Sequence, residues 1–373
     1  MASSSTTLGA GGIQADFFMG CNAPGGFHSL YGELQSPVRG IRRWLIKGGP
    51  GTGKSSLMKQ AAQAVQDRED LLERIHCSSD PDSLDGVLFH RGGASLVDAT
   101  PPHVIEPGCP GAFESVINLL SCFNEDLLEQ RLERITELQA LNGEYHRKCR
   151  GLLKCADILL QDNARYVESC TDFEKIRTQA LRFCRKELPP AGKPGRERNR
   201  LLTAVTNQGV VTYEKTPAAL CKRLLLLRDE YGPASAALLK TVRAEALARG
   251  QLVYSCWSPL APEVRLEHLL LPEAGLGLVT QSRYCPFREL TPWKVIDCAR
   301  FTDGEALRRR RRYLRFNRRA AQELINGAVE DLRQAKAVHD RLEEQFTDAV
   351  DFGAVTALTS HLLTALAARY SKQ

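Results

Sequence analysis

With 373 residues, 43% hydrophobic and 25% charged, the chain is long enough for two domains and too ordinary in composition for wholesale disorder or a fibrous repeat. Its net charge of +6 is mild for this length, and its twelve cysteines, with no Cys-x-x-Cys pair or zinc-type spacing, read as reduced, buried thiols. No apolar run approaches the roughly 18 residues that span a bilayer, and the first twenty residues lack a basic start and an apolar signal core, so a cytoplasmic protein without membrane insertion is expected.

Residues 1–16 begin with a Ser/Thr/Gly-rich stretch that has little to bury and are expected to be disordered, with structure starting at Phe17. Gly26 opens a short β-like run, Phe27 to Tyr31, whose two aromatic rings either stack on a base or fill the core. Ile41 to Lys47 ends in Trp44-Leu45-Ile46, a buried strand, and runs directly into Gly48-Gly49-Pro50-Gly51-Thr52-Gly53-Lys54-Ser55. This is the Walker A pattern Gly-x-x-x-x-Gly-Lys-[Ser/Thr]. Glycines let successive backbone N–H groups point inward at phosphate oxygens, and Lys54 neutralises β- and γ-phosphate charge. Ser55 is expected to coordinate Mg²⁺, while Ser56 and the rest of the first helical turn aim a positive dipole end at the anion. Leu57, Met58, Ala61, Ala62 and Val65 give the following helix an apolar face.

A second strand ends near His76 and is followed by Asp80, Asp82 and Asp85. Asp80 is the preferred candidate among these to position an acceptor or an attacking water, against the reading that it only begins an Asp-Pro turn. Ala94 to Val97 forms a further strand ending in Asp98, the expected magnesium-shell carboxylate. Residues 99–103 hold no glutamate, so a water-activating carboxylate is missing from its usual place. His103 either contacts the γ-phosphate or is polar surface.

Helical periodicity then takes over through Leu128, Leu132, Ile135, Leu138 and Leu141. Residues 188–199, rich in Pro, Gly and charge, read as a linker. Beyond them the order of landmarks repeats: Gly26 with Gly209, Lys59 with Lys240, Cys77 with Cys256, Ser95-Leu96-Val97 with Gly277-Leu278-Val279, and Asp172-Phe173 with Asp351-Phe352. The expected organisation is a disordered 1–16, an active α/β nucleotide domain with helical segment over 17–187, a linker, and a degenerate copy over 200–373. In that copy Ser235 and Ala236 stand where Lys54 and Ser55 do, and Thr280 stands opposite Asp98. Nine arginines between Ala299 and Arg319 face only Asp303 and Glu305. Arg308 to Arg312, with Arg315, Arg318 and Arg319, are read as a solvated basic face, a nucleic-acid contact, or the source of an arginine finger for the other half.

These residues resemble P-loop NTPases generally and, more closely, an uncharacterised bacterial family of tandem P-loop ATPases. The resemblance rests on GGPGTGKSSLMK (48–59), HCSSDPDSLDGV (76–87) and DATPPHVIEPGCPGAFE (98–114) and loosely covers the whole chain. It implies an α/β fold of two tandem P-loop NTPase-like domains, each with a helical segment, and two nucleotide sites. The second site is not carried over, because its lysine and hydroxyl are absent. The leading expectation is an Mg²⁺-dependent ATPase or ATP-dependent switch acting on a macromolecular partner through the helical segments. A small-molecule or nucleotide kinase and a nucleotide-regulated nucleic-acid binder are the alternatives.

Overall fold

Glycine- and proline-punctuated apolar runs become strands, and 3.6-residue periodicity becomes helices, in the computed structural model, which describes residues 12–34 and 40–371. The first half runs β1 (Ile13–Phe18), a hairpin of β2 (Gly20–Ala23) and β3 (Gly26–Ser29), β4 (Arg42–Lys47), α1 (Lys54–Val65), β5 (Leu71–His76), β6 (Leu84–Phe89), β7 (Ala94–Asp98) and β8 (Glu114–Asn118). Three helices follow: α2 (Glu125–Gln130), α3 (Leu132–Glu168) and α4 (Phe173–Glu187). The second half runs β9 (Arg196–Arg200), a hairpin of β10 (Thr203–Thr206) and β11 (Gly209–Thr212), α5 (Lys215–Leu220), β12 (Arg223–Arg228) and α6 (Pro233–Ala248). It continues with β13 (Leu252–Ser258), β14 (Ala261–Leu271), β15 (Leu276–Gln281), β16 (Lys294–Asp297), α7 (Gly304–Arg309), α8 (Arg311–Thr347) and α9 (Phe352–Arg369).

The protein is therefore mixed α/β, built on two six-stranded mixed sheets. Their orders, β1-β5-β6-β7-β4-β8 and β9-β13-β14-β15-β12-β16, are the same, and so is the parallel or antiparallel sense of every neighbouring pair. One face of each sheet enters a shared core, Phe17, Ile75 and Val97 meeting Leu224, Leu226 and Tyr254. The other faces are covered by helices.

Those helices cross over. Ile176, Ala180 and Cys184 of α4 pack on Leu238, Leu239 and Val242 of α6, whereas Leu362 and Leu366 of α9 pack on Leu57, Met58 and Ala61 of α1. Each half thus lends its last helix to the other, and the expected division at 188–199 does not separate packing units. The two helices that carry the exchange, α3 and α8, lie antiparallel. Cys149, Leu153 and Ala156 pack against Ala321, Ile325 and Ala328, and near one end Arg131 Nη1 donates to the Gln345 carbonyl at 2.7 Å. Asp172 and Asp351 cap α4 and α9 by accepting from the N–H groups of Lys175 and Ala354 at 2.9 and 3.0 Å, each cap stabilising by about 1 kcal/mol.

Three expectations need correction. Disorder of residues 1–11 lies outside the described residues, but Ile13 already opens β1 and pairs with Leu71. The linker runs into β9, which takes up its residues 196–199 and pairs in parallel with β13 although the strand sequence Arg-Glu-Arg-Asn-Arg shows no apolar alternation. Its side chains are held by charge instead, Glu197 meeting Arg243 at 2.6 Å and Arg200 meeting Glu73 at 2.9 Å. Finally, sheet register makes Ile75, not Cys77, the counterpart of Cys256: Phe17 pairs with Ile75 as Arg200 pairs with Cys256, and Phe18 bridges Leu201 between the halves.

Candidate functional site

The turn from Gly48 to Gly53 leaves the end of β4, with Asp98 beside Ile46 at the end of the adjacent parallel strand β7. Gly53 has φ 79°, a left-handed conformation that side chains resist, and it sits immediately before α1. Gly51, at φ 70°, is also a close approach: a Cβ there would lie 2.8 Å from Thr347 Oγ1 at the end of α8. Thr52 Oγ1 donates to the Gly49 carbonyl at 2.9 Å and closes the turn on itself.

Lys54 folds back over this turn. Its ammonium donates to the Gly48 and Gly49 carbonyls at 2.8 Å each and lies 3.8 Å from Asp98 Oδ2. Asp98 is buried, and burial raises its pKa despite Lys54 and the N–H and hydroxyl of Thr100, which favour the charged form. Ser55 Oγ accepts the Leu84 N–H at 2.9 Å, tying the start of α1 to the start of β6.

His103 and Asp85 complete the cluster. Their side chains, both buried, meet at 3.0 Å. Burial pushes the imidazole pKa down, but the hydrogen bond and charge of Asp85 more than offset it, so the pKa lies above its ordinary value. Phe27 and Tyr31 pack on the ring at 5.1 and 4.7 Å between centroids, which spends both aromatics on His103. His103 Nδ1 is buried with no protein partner. Lys54, Asp98, Asp85 and His103 therefore form one group of mutually interacting ionisable side chains beside the glycine turn.

Asp80, the carboxylate preferred from sequence, is held by other partners. It accepts from Ser83 Oγ at 3.0 Å and lies 3.6 Å from Lys336 of α8. Asp85 is the better-placed acid, and its mark in the sequence is a lone carboxylate inside the apolar run Leu84 to Phe89, where a strand must bury it. The end of α8 also lies at this site, which no local sequence pattern indicates. Phe346 packs on Phe123 over Gly49, and Glu343 is held below its usual range by His339 first and to a lesser degree by the Gly51 N–H and Lys336.

The arginines cannot reach this turn. At about 1.5 Å per residue, the stretch of α8 from Arg319 to Glu343 spans about 36 Å, far beyond an arginine side chain, so the finger reading is overturned. Arg318 instead pairs with Glu230 at 2.6 Å, beside the corresponding turn of the second half.

That second turn is filled from within. Asp229 Oδ1 accepts the N–H groups of Tyr231 and Gly232 at 3.1 and 2.9 Å, and Oδ2 accepts that of Ser235 at 2.7 Å. A carboxylate thus satisfies the backbone donors that an external anion would otherwise seek. The buried faces of α1 and α6 coincide when Leu57, Met58 and Ala61 are set on Leu238, Leu239 and Val242, which puts Ser235 opposite Lys54. Thr280 pairs with Leu227 as Asp98 pairs with Ile46.

Glu267, His268 and Cys285 gather in the second half with donor atoms within 4.8 Å of one another. The Thr280 N–H donates to His268 Nδ1 at 3.1 Å, which leaves the neutral ring protonated on Nε2, the nitrogen that faces Cys285 Sγ at 3.4 Å. That nitrogen has no lone pair for a metal while this bond stands, and the cluster fits proton sharing better than coordination. The chain matches no protein-family model, no curated protein and no solved structure.

Proposed function

We propose that the Gly48–Ser56 segment binds the phosphates of ATP with Mg²⁺ and that the protein is an ATPase or ATP-driven switch with one competent site, in the first half. The observation that carries this reading is the Lys54 ammonium, held by two turn carbonyls at 2.8 Å and facing Asp98 at the mouth of a glycine turn that opens α1. A lysine so placed exchanges two neutral carbonyls for charged phosphate oxygens by a small rotation. The donor set also fits the metal: Ser55 offers a hydroxyl and Asp98 a carboxylate, both hard oxygen ligands. Mg²⁺ bound there would neutralise charge building on the phosphate oxygens. In this reading Asp85, paired with His103, takes the proton from water, the role that no residue after Asp98 supplies. Asp80, tied to Ser83 and Lys336, gives the kinase alternative less support.

Phosphate release from ATP in the presence of Mg²⁺ tests the reading. We expect turnover without any added acceptor, reduced roughly a hundredfold or more by Lys54→Ala. Thermal unfolding of the nucleotide-free variant should stay near that of the parent, since the lost hydrogen bonds are to turn carbonyls and Asp98, already raised in pKa by burial, keeps the N–H and hydroxyl of Thr100. Undiminished release by the variant would contradict the assignment, and release only with a metabolite acceptor would favour the kinase.

A further inference from the structure

The first turns of α8 carry a second feature, independent of the nucleotide site. Arg311, Arg312, Arg315 and Arg319 recur at helical spacing, all exposed, on the side away from Leu314, Asn317 and Ala321, which are buried. Phe316 lies on the same side with 66% of its surface exposed, and Tyr313 nearby with 44%. The neighbouring arginines are engaged elsewhere. Arg308 and Arg309 reach Glu305 at 4.0 and 3.6 Å, Arg310 sits over the Tyr166 and Tyr313 rings at 5.3 and 5.7 Å, and Arg318 turns to Glu230. Among the described residues, none of Arg311, Arg312, Arg315 and Arg319 has a carboxylate within 4.0 Å.

The fold itself does not ask for this charge. Helices α3 and α8 are both 37 residues long and start from residues of nearly the same conformation, Arg131 and Arg310. In α3 the positions matching Arg311, Arg312, Arg315, Phe316 and Arg319 are Leu132, Glu133, Thr136, Glu137 and Ala140. The matching helix, with the same packing duty, manages without arginines at these positions.

We propose that this face of α8 binds single-stranded nucleic acid, the four guanidinium groups pairing with successive phosphates and Phe316 offering a stacking surface to a base. Arginines one turn apart rise about 5–6 Å, the scale of the phosphate repeat in an extended strand. Positive charge with interleaved exposed aromatic rings is the combination that sequence-tolerant single-strand binding uses. An anionic membrane is the poorer partner, because a lone phenylalanine among four charges gives no apolar face to insert.

The test uses the full chain without nucleotide, so its outcome does not depend on the Lys54 site. Fluorescence anisotropy would follow a labelled oligothymidylate of about 20 nucleotides between about 50 and 200 mM salt. Four phosphate contacts predict a loss of affinity of roughly thirty- to fiftyfold over that range. Combined Arg312→Glu, Arg315→Glu and Arg319→Glu should weaken binding more than tenfold at the lower salt and flatten its salt dependence. Phe316→Ala should weaken binding roughly tenfold at every salt while leaving the slope in place. Melting followed by circular dichroism should be unchanged for both variants, since all four side chains are exposed. No binding by the parent chain, binding unaltered in the triple variant, or tighter retention on phosphatidylserine vesicles or polyglutamate than on the oligonucleotide would each overturn the proposal.

Discussion

Glu73 shows what a single residue contributes where the two halves meet. It is fully buried, and its carboxylate accepts from Arg200 Nε at 2.9 Å, Arg198 Nη1 at 3.0 Å, Tyr254 Oη at 2.7 Å and His90 Nε2 at 2.7 Å. Burial alone would raise its pKa, but Arg200 first, then His90 and Arg198, hold it well below the ordinary value of 4.5. A depressed carboxylate stabilises the fold above its unfolded pKa, and that contribution is lost as pH falls from there through the folded value. Glu73→Gln should therefore cost about 3 kcal/mol near neutral pH, because the buried Arg200 keeps only Glu33, at 3.3 Å, as a charged partner. Urea unfolding across the acid range checks both points: the parent should lose stability below pH about 4.5 more steeply than the variant. A lone Glu in a strand announces that it will be buried, but its partners lie 125 to 181 positions away for Arg198 and Tyr254, beyond any local pattern. Lys54 was legible for the opposite reason, since all its partners but Asp98 belong to its own turn.

At the scale of elements, α8 is the piece that joins the halves. Its start carries the exposed arginines, its middle packs along α3, and its end lies on the glycine turn through Glu343, Phe346 and Thr347. Among the groups that favour the charged Glu343 carboxylate, after His339, is the Gly51 N–H, a donor that a phosphate oxygen would also use. On the proposed reading a nucleotide would displace or compete with it, and the displacement would be felt by a single continuous helix. Glu343→Gln should tighten ATP binding roughly threefold to tenfold and lessen protection of residues 343–350 gained or lost on binding, measured by titration and by hydrogen exchange. Unchanged affinity would show that the contact does not oppose the nucleotide. The helical spacing of Leu332, Ala335 and Leu342, all buried, marks this helix in the sequence. It could not reveal what the ends touch, because a helix sequence encodes its faces but not its neighbours. Strand β9 failed in the reverse sense: its pairing is real, but charge pairs replace the apolar alternation by which strands are read.

For the whole molecule, two sheets of one strand order share a core and exchange their closing helices, yet their glycine turns have diverged. In the first, Lys54 bonds the Gly48 and Gly49 carbonyls and faces Asp98 while Ser55 accepts the Leu84 N–H, and on the proposed reading these groups exchange those partners for phosphate and metal oxygens. In the second, Asp229 answers the turn's N–H groups, Ser235 stands opposite Lys54, and Thr280 stands opposite Asp98. The loss of lysine could be read from sequence, and with it the asymmetry. The plug could not, because an Asp at the head of a turn looks the same whether it caps the chain or fills an anion site. Isothermal titration of the chain with ATP and Mg²⁺ tests this account most directly. It predicts one nucleotide bound per chain and none in Lys54→Ala; two comparable sites, or binding that survives the substitution, would contradict it.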